Sequence, residues 1–547
     1  MAEHQATSDT EKVQCEMLEQ RLPPDVIQPE PQWARYIPGG YSKSRCLRIR
    51  GAPMMCAVLL LAGTAIMFFG YDASVMSQVN SNKDYLHLMR LEGGTSGDSA
   101  FIGGIVSIWF LGFAIGGLLV GIYADKVGRL KTIQLGCVWA LVGAALQAAA
   151  QNVSMMMVGR VIGGVGCGHL NTIVPIWSSE IADPKYRGAF VAAEFTMALL
   201  GSTLAFWMEY ALVKTHAAPF AWRFPVAFQV VFLIVIMIIT PFYPESPRHL
   251  ARSGRVDEAQ EILEQCRSNP DHQAILQEIE EIKETIRLEA KAASTTYYSM
   301  LFRKDDLHNR RRILLGAGIQ VLQKLTGIDF IATYAPQMFA LSGFTGNKPA
   351  LLAGGNFFNY TASLALAVFL ADRVGRRKLM LSGCTMMGTV LVVGGVLSKM
   401  TLTHQGTDKA AGFGTGVCAI LYIYTFIYGS TWLTTCWVYP TECFPLATRA
   451  KGTALAVVAF SVAGGVVNTI IPYLITAVGF WVFVAFAVIN VLMLIPIYLF
   501  YVETANRHLE DLDILFATES PLVWRAEKEF ARRKAESSRL DQPTGRA

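Results

Sequence analysis

The chain has 547 residues, of which 52% are hydrophobic and only 16% are charged. Ordinary globular chains carry roughly 25% charged residues, and the mean hydropathy here is +0.37. Apolar runs of about 20 residues match the hydrocarbon thickness of a bilayer. This pattern excludes a disordered, collagen-like, coiled-coil or disulfide-stapled secreted chain, and also a string of soluble domains. The sequence therefore predicts a polytopic membrane protein, in which the net charge of +5 matters only through its distribution.

The first element is a polar N-terminal tail without the apolar core of a cleaved signal peptide. Twelve apolar spans follow in two sets of six, and in lipid only helices satisfy the backbone of such runs internally. The spans lie at 54–78, 101–122, 131–151, 153–176, 188–212, 222–243, 312–341, 349–371, 379–398, 413–439, 450–475 and 479–502. We therefore predict an all-α membrane protein with twelve transmembrane helices.

The domain organisation follows from the spacing of these spans. It comprises an N-terminal tail (1–53), an N-terminal six-helix bundle (54–243), a loop (244–311), a C-terminal six-helix bundle (312–502) and a C-terminal tail (503–547). The loop has apolar residues at helical spacing, typical of amphipathic helices that pack on a bundle, although docking of a soluble partner is an alternative. About 45 residues at the start and 40 at the end lack apolar periodicity, which predicts mobile tails.

Lysines and arginines mark one side of the membrane. They follow the even-numbered spans, for example at Arg129, Arg187, Arg376 and Arg449, whereas the alternate loops carry few. Because positive loops remain cytoplasmic, we expect both termini and the 244–311 loop in the cytoplasm. The plasma membrane is the predicted location.

The two sets of spans also repeat a charge pattern. Asp125–Arg129 after the second span matches Asp372–Arg376 after the eighth. Similarly, Glu180 and Arg187 after span four match Glu442 and Arg449 after span ten, and Glu245 after span six matches Glu503 after span twelve. Duplicated halves with a substrate site between them are the architecture of secondary transporters.

Charged residues inside the spans are costly and mark candidate functional groups. Asp72 in span one and Arg160 in span four are such a pair, and protonation of the carboxylate would break their interaction. The alternative is a permanent structural ion pair. Lys324 and Asp329 in span seven either satisfy each other, pair with Glu194, or bind a charged group of a substrate.

In addition, the chain resembles the sugar porter family of the major facilitator superfamily over roughly 54–515. The matching motifs are Gly121–Arg129, Gly159-Arg160, Val174-Pro175 with Glu180 and Arg187, Pro244–Arg248, Gln323–Gly327, Asp372–Arg377 and Tyr439–Pro445 with Arg449–Gly452. The resemblance implies the major facilitator fold, two pseudo-symmetric six-helix halves and alternating access. It also implies proton coupling through Asp72 and Arg160, since facilitative relatives carry a neutral residue at the aspartate position. The segments Trp222-Arg223-Phe224-Pro225 and Arg449-Ala450-Lys451-Gly452 are similar to those of fungal members.

The predicted substrate site combines family positions with departures from the family. Gln323 and Trp437 keep the family's residue types, whereas Phe195, Lys324 and Asp329 replace neutral hydrogen-bonding residues, and Tyr360 replaces an asparagine. The predicted substrate-binding residues are Gln323, Lys324, Asp329, Trp437, Phe195 and Tyr360. Such changes remove discrimination for hexose hydroxyls, at about 1–3 kcal/mol for each unmatched polar group.

A gate on the cytoplasmic side is predicted from the duplicated charges. Its residues are Asp125, Arg129, Glu180, Arg187, Glu245, Arg248, Asp372, Arg376, Glu442, Arg449 and Glu503. Ion pairs among them would hold the cytoplasmic side shut and break when the site faces inward.

The sequence thus favours a secondary active transporter, with proton-coupled symport of a sugar or polyol-like solute as the first hypothesis. The alternatives are a transporter of an organic acid or secondary metabolite with the same fold, working as an importer or an exporter, and a non-transporting nutrient sensor. We expect no enzyme activity, cofactor, metal or nucleic acid; the expected partners are a small solute, protons and the bilayer. Protein partners and oligomeric state are not predicted.

Overall fold

The computed structural model describes most of the chain. The described residues are 27, 30–31, 33–34, 37, 40–92, 96–183, 187–213, 218–267, 272–292, 297–302, 308–445, 448–505, 507, 512, 515–516 and 520–540. They are mostly helical and contain no β-strand. For a few helical residues, Arg187 and Asp372 among them, only the backbone is described.

Seven helices build the first half of the molecule. They are α1 (Ala52–Val79), α2 (Lys83–Met89), α3 (Ser96–Val127), α4 (Arg129–Ala148), α5 (Val153–Ile181), α6 (Arg187–Val213) and α7 (Ala218–Ile239). Six of them correspond to the predicted spans. The short helix α2 was not predicted; the Asn82 side chain starts it by accepting hydrogen bonds from the amides of Asp84 and Tyr85, as N-cap residues do.

Four helices follow between the halves. They are α8 (Pro247–Arg252), α9 (Val256–Cys266), α10 (His272–Ala292) and α11 (Tyr297–Phe302). The apolar faces of α9 and α10, including Ile262 and Ile279, are buried in the same core as the first half, so packing on the bundle explains this stripe. We call the end of the bundle that carries these helices the loop side, and the opposite end the far side.

The second half contains nine helical segments and a closing helix. They are α12 (Asn309–Leu325), α13 (Ile328–Ala332), α14 (Ala335–Leu341), α15 (Lys348–Val374), α16 (Arg376–Thr403), α17 (Asp408–Tyr428), α18 (Thr434–Cys443), α19 (Arg449–Val478), α20 (Trp481–Phe500) and α21 (Val523–Leu540). A π-helical turn at Gly429–Leu433 joins α17 to α18.

The seventh predicted span is broken into α12, α13 and α14. Gly327 lies at the first break with φ 98°, a conformation that a residue with a side chain rarely adopts. The freed carbonyl of Thr326 accepts hydrogen bonds from Tyr424 Oη at 2.9 Å and Asn490 Nδ2 at 2.8 Å. Side chains of neighbouring helices thus satisfy the backbone at the break, which is the condition for irregular structure inside a membrane.

Ten of the described helical segments are long and apolar enough to cross a membrane. The two predicted spans outside this set are the broken seventh span and α15, the eighth. The two largest buried cores are built mainly from one half each: one contains residues from α1 to α10 together with Val457 and Phe460 of α19, and the other contains residues from α12 to α21 together with Leu199 and Phe206 of α6. The halves meet where α3 packs on α19 and where α6 packs on α15.

The prediction of mobile tails needs correction at both ends of the bundle. Residues 40–50 contact the loop helices, and Lys43 Nζ lies 2.5 Å from Glu261 Oε1. Near the other end, α21 is helical and packs on α20, and Phe516 and Ala526 are fully buried. The sequence reasoning missed these contacts because the short apolar stretches become a packing face only against the finished bundle.

Candidate functional site

The first buried ion pair joins α1 to α5. Asp72 Oδ1 lies 3.2 Å from Arg160 Nη1, and both side chains are 1% exposed. The other carboxylate oxygen accepts a hydrogen bond of 2.6 Å from Nε1 of Trp109 on α3. The two residues paired in the sequence analysis are therefore in contact, and one carboxylate ties three helices together.

Glycines on α3 and α5 make this contact geometry accessible. A Cβ on Gly112 would lie 2.1 Å from the carbonyl oxygen of Val161, and a Cβ on Gly164 would lie 2.3 Å from that of Trp109. Since no side chain fits in either space, the two helices approach at backbone distance, as small residues allow in membranes. The close approach places Trp109 beside Asp72 and Arg160.

The Arg160 guanidinium is only partly satisfied. Nη1 contacts Asp72, whereas Nε has no hydrogen-bond partner among the described residues. Taking two charges out of water is costly, and the ion pair, a 3.4 Å hydrogen bond to the Asp72 carbonyl and a guanidinium 5.6 Å from the Trp109 ring centroid offset only part of that cost. Loss of the Asp72 charge would therefore leave Arg160 without its counter-ion and change the preferred packing of α1 against α5.

The second buried ion pair lies across the break after α12. Lys324 Nζ is 3.0 Å from Asp329, whose other contact is a 2.9 Å hydrogen bond from Asn468 Nδ2 on α19. Among the alternatives for these charges, the structure therefore shows that they pair with each other. Glu194, by contrast, accepts a hydrogen bond of 2.5 Å from Ser178 Oγ.

A chain of aromatic rings crosses from one half to the other beside Lys324. The Lys324 ammonium lies 4.2 Å from the ring centroid of Phe460 and 5.0 Å from that of Phe110. Phe460 lies 5.2 Å from Trp437, which in turn lies 6.0 Å from Phe195. Phe110 and Phe195 belong to the first half and the other residues to the second, so this part of the interface is aromatic and cationic.

The two remaining predicted substrate residues, Gln323 and Tyr360, both contact Tyr428. Gln323 Nε2 donates to Tyr428 Oη at 2.8 Å, and the Tyr428 ring lies 5.9 Å from that of Tyr360. Gln323 Oε1 has no hydrogen-bond partner among the described residues. The six predicted substrate residues thus fall into two groups of contacts, one around Lys324 and one around Tyr428, which meet at the adjacent α12 positions Gln323 and Lys324; one acceptor of Gln323 is left open.

Sequence reasoning missed three members of this arrangement: Trp109, Tyr428 and Asn468. Each carries a polar group inside an apolar run, which is a usable signal because such groups need a partner in lipid. Asn468 in particular is fully buried and lies in span eleven, in which no substrate residue was predicted.

On the loop side, the first half holds a cluster built on the start of α4. The N-cap residue, Gly128, has φ 100° and no side chain that could cap the helix. The carboxylate of Glu245 takes over this role, because it accepts hydrogen bonds from the amides of Arg129 at 3.0 Å and Leu130 at 3.3 Å. A carboxylate at a helix N-terminus is favoured by the free amides and the helix dipole. The Arg129 side chain forms two hydrogen bonds with Glu180, of 2.8 and 2.9 Å.

The second half repeats this geometry at the start of α16. Gly375 has φ 95°, and Glu503 accepts from the amides of Arg376 at 2.8 Å and Arg377 at 3.2 Å. The Arg376 side chain lies 3.0 Å from Glu442.

Three other predicted gate residues, Asp125, Arg248 and Arg449, lie outside the two helix-capping arrangements. Asp125 pairs with Arg129 at 3.0 Å and with Arg252 at 2.8 Å. The positive charge of Arg248 acts on Asp125, and Arg449 Nε donates to the carbonyl of Phe444 at 3.4 Å. The side chains of Arg187 and Asp372 lie outside the described residues.

Burial shifts two titratable groups in the first loop-side cluster. It raises the pKa of Glu245, although three backbone amides and Arg129 oppose the shift. Burial and the neighbouring Arg129 lower the pKa of His249 to about 3. The imidazole is therefore neutral at physiological pH.

Comparison with known proteins gives a consistent assignment. The model of the sugar (and other) transporter family matches residues 55–516. The MFS-type transporter oryC of Aspergillus oryzae is 33% identical over 85% of this chain and 86% of its own length. The sugar transporter STL1 of Saccharomyces cerevisiae is 27% identical over 86% of this chain and 82% of its own length.

Solved structures share the same fold. The proton:xylose symporter XylE bound to 6-bromo-6-deoxy-D-glucose superposes with a TM-score of 0.71 at 22% identity, over 85% of this chain and all of that one. The inward-open form of XylE from E. coli gives a TM-score of 0.69. The predicted fold class, twelve helices in the major facilitator arrangement, is confirmed, and the chain is a multi-pass integral membrane transporter rather than an enzyme. It belongs to the sugar (and other) transporter family of the major facilitator superfamily.

Proposed function

We propose that this transporter is a proton-coupled symporter of a sugar or polyol-like solute that works by alternating access. The observation that carries the proposal is the buried contact of Asp72 with Arg160 and Trp109. A carboxylate in this setting has two stable states, an anion paired with the guanidinium and a neutral acid. Uptake of one proton on Asp72 releases Arg160 and thereby couples the proton to a change in helix packing.

The contacts between the halves support the alternating-access part of the proposal. Near the far side, Ser77 Oγ donates to the carbonyl of Thr333 at 2.5 Å, and Gln337 Nε2 donates to Ser81 Oγ at 3.1 Å. These hydrogen bonds close that end of the interface between α1 and the broken seventh span. Each loop-side cluster, in contrast, joins residues of a single half. We propose that the clusters stabilise the cytoplasmic ends of the helices while the two halves move relative to each other during alternating access.

The same charges support an orientation. Arg129 and Arg376 lie on the loop side with α8–α11, and positively charged loops remain in the cytoplasm. We therefore propose that the loop side is cytoplasmic, with both termini on that side, and that the protein resides in the plasma membrane.

A polar solute is supported by the groups around Gln323. Its free amide oxygen accepts a hydroxyl hydrogen, and the Trp437 ring covers an apolar sugar face. The relatives named glucose or sugar transporters and the xylose symporter of the same fold agree with this class.

A second candidate, transport of an organic acid or secondary metabolite, is favoured by one observation. Lys324 lies between Phe110 and Phe460 at the interface, where a carboxylated or partly apolar solute would find both a charge and rings. In that case the Lys324–Asp329 pair would exchange for a Lys324–substrate pair.

Reconstituted protein separates the two candidates. Vesicles containing a pH-sensitive dye are challenged with hexoses, pentoses, hexitols and monocarboxylates under an imposed inward proton gradient. We expect a sugar or polyol to produce both solute accumulation and internal acidification. Acidification with monocarboxylates only would favour the second candidate, whereas equilibration without any proton movement would contradict symport.

A further inference from the structure

A cavity of about 470 Å³ lies on the loop side, outside both ion-pair sites. It is enclosed by the segment 41–50 on one side and by α9 on the other. The segment is fixed there, because Gln265 Nε2 donates to the carbonyl of Ile49 at 3.0 Å and the amide of Gly51 donates to the Gln265 carbonyl at 2.8 Å. The cavity is therefore a formed feature of the fold.

The charges around this cavity are not balanced. Two carboxylates line it: Glu261 pairs with Lys43 at 2.5 Å, whereas Glu264 accepts a hydrogen bond of 3.1 Å from the neutral Gln260 and keeps its negative charge. Arg48 and Arg50 also line the cavity and are exposed, yet they form no hydrogen bond or ion pair with the described residues. Three cations and two carboxylates thus line the cavity, which leaves an excess of one positive charge, and neither arginine has an ion-pair partner among the described residues.

The cavity also lies where the chain enters the membrane. Gly51 precedes α1, the first spanning helix, and Ile49, 38% exposed, lies between the two arginines. Four basic residues, Lys43, Arg45, Arg48 and Arg50, precede this helix, and such a run beside the membrane suits a ligand that has both a phosphate and acyl chains. Basic residues directly beside a transmembrane helix attract anionic headgroups, with about 1 kcal/mol for each charge near the surface.

We propose that the cavity between 41–50 and α9 binds the phosphate-bearing headgroup of an anionic phospholipid in the leaflet on the loop side. Arg48 and Arg50 supply the charge-assisted hydrogen bonds to the phosphate oxygens. The bound lipid holds the start of α1 against α9, and α1 is the helix that carries Asp72. This inference depends on neither the solute nor proton coupling.

The test uses the full-length protein and phosphatidylserine as the probe. Native mass spectrometry counts the phosphatidylserine molecules retained from mixed micelles with phosphatidylcholine by the wild type and by Arg48→Gln/Arg50→Gln. At about 1 kcal/mol per charge, we expect about a fivefold weakening per arginine, or about 25-fold for the pair. The matched control, Lys399→Gln/Lys409→Gln, removes the same charge from exposed positions in the far-side turns of α16 and α17, and it should retain wild-type binding. Thermal unfolding of each variant shows whether it is folded.

Three results would overturn the proposal. One is equal retention of phosphatidylserine by the folded arginine variant and the wild type. Another is an equal loss in the lysine control, which would indicate a general charge effect. The last is displacement of phosphatidylserine by an equal concentration of inorganic phosphate, which would assign the cavity to a soluble anion instead of a lipid.

Discussion

Comparison of the two halves shows what was duplicated and what was not. At the start of α4, Glu245 caps the helix and Arg129 reaches Glu180; at the start of α16, Glu503 caps the helix and Arg376 reaches Glu442. The buried ion pairs of the halves do not correspond in this way. Asp72 and Arg160 connect different helices, whereas Lys324 and Asp329 lie on either side of one helix break.

This difference suggests that the duplicated clusters and the unduplicated ion pairs have different roles. The duplicated clusters perform the work that both halves share, namely fixing the loop-side helix ends. We propose that the unduplicated pairs, Asp72–Arg160 and Lys324–Asp329, have roles that only one half performs. A pair between helices couples its charge state to packing, while a pair across one break holds a local shape.

The largest expected effect is on stability, at the break in the second half. Replacing Lys324 by Gln leaves Asp329 as a buried charge with Asn468 as its remaining partner, which we expect to cost about 3–5 kcal/mol of unfolding free energy. The double variant Lys324→Gln/Asp329→Asn has no uncompensated charge and should recover most of this loss. Thermal unfolding of the four proteins of the cycle measures the coupling, and additive losses would show that the pair has no structural role.

A second prediction concerns pH and the first loop-side cluster. Because the pKa of His249 is about 3 in the folded protein and about 6.5 in an unfolded chain, the unfolded state binds more protons between these values. Stability should therefore fall as the pH is lowered from about 6.5, by about 2 kcal/mol at pH 5. His249→Gln should flatten this part of the profile. An unchanged slope in the variant would mean that other groups cause the acid sensitivity.

A third prediction concerns the gate and compares the ion pairs of the two loop-side clusters, which differ in burial. Glu180→Gln removes the negative charge and one of the two acceptor oxygens that face an Arg129 side chain that is 4% exposed, whereas Glu442→Gln acts on a side chain of Arg376 that is 13% exposed. Because each ion pair lies within one half, its loss should act by loosening the helix ends on the loop side and so shift the equilibrium toward the inward-open state, by about 1 kcal/mol or fivefold for Glu180 and less for Glu442. The readout is the maleimide-labelling rate of the buried Cys436, with Cys436→Ser as the control. Equal rates in all three proteins with Cys436 would exclude a gating role.

The smallest effect is expected at the aromatic contact between the halves. Phe195→Gln replaces a ring near Trp437 with an amide that donates to and accepts from hydroxyls. We expect hexose uptake to improve relative to other solutes by about threefold, since one exposed hydrogen bond contributes about 0.5–1.5 kcal/mol. Phe195→Leu is the matched control, as it removes the ring without adding polar groups. The same change in selectivity in both variants would assign the effect to lost ring area.

Particular residues show how far the sequence could predict this molecule. The spans and the duplicated charges were readable because lipid requires long apolar runs and leaves few places for Arg129 or Glu442. The contact of Asp72 with Arg160 was predictable for the same reason, because each needs a partner. The break at Gly327 was not, since its carbonyls are satisfied by Tyr424 and Asn490 from distant parts of the sequence. Trp109 was missed because nothing in an apolar run shows which helix its indole faces.

The most direct test of the account compares Asp72→Asn with the wild type in the same vesicles. Two quantities are measured: accumulation of solute under a pH gradient, and exchange of labelled for unlabelled solute at equal pH. If Asp72 carries the coupled proton, the variant should continue to exchange solute but no longer concentrate it above equilibrium. Undiminished gradient-driven accumulation by the variant would contradict the account, because an asparagine cannot take up the proton.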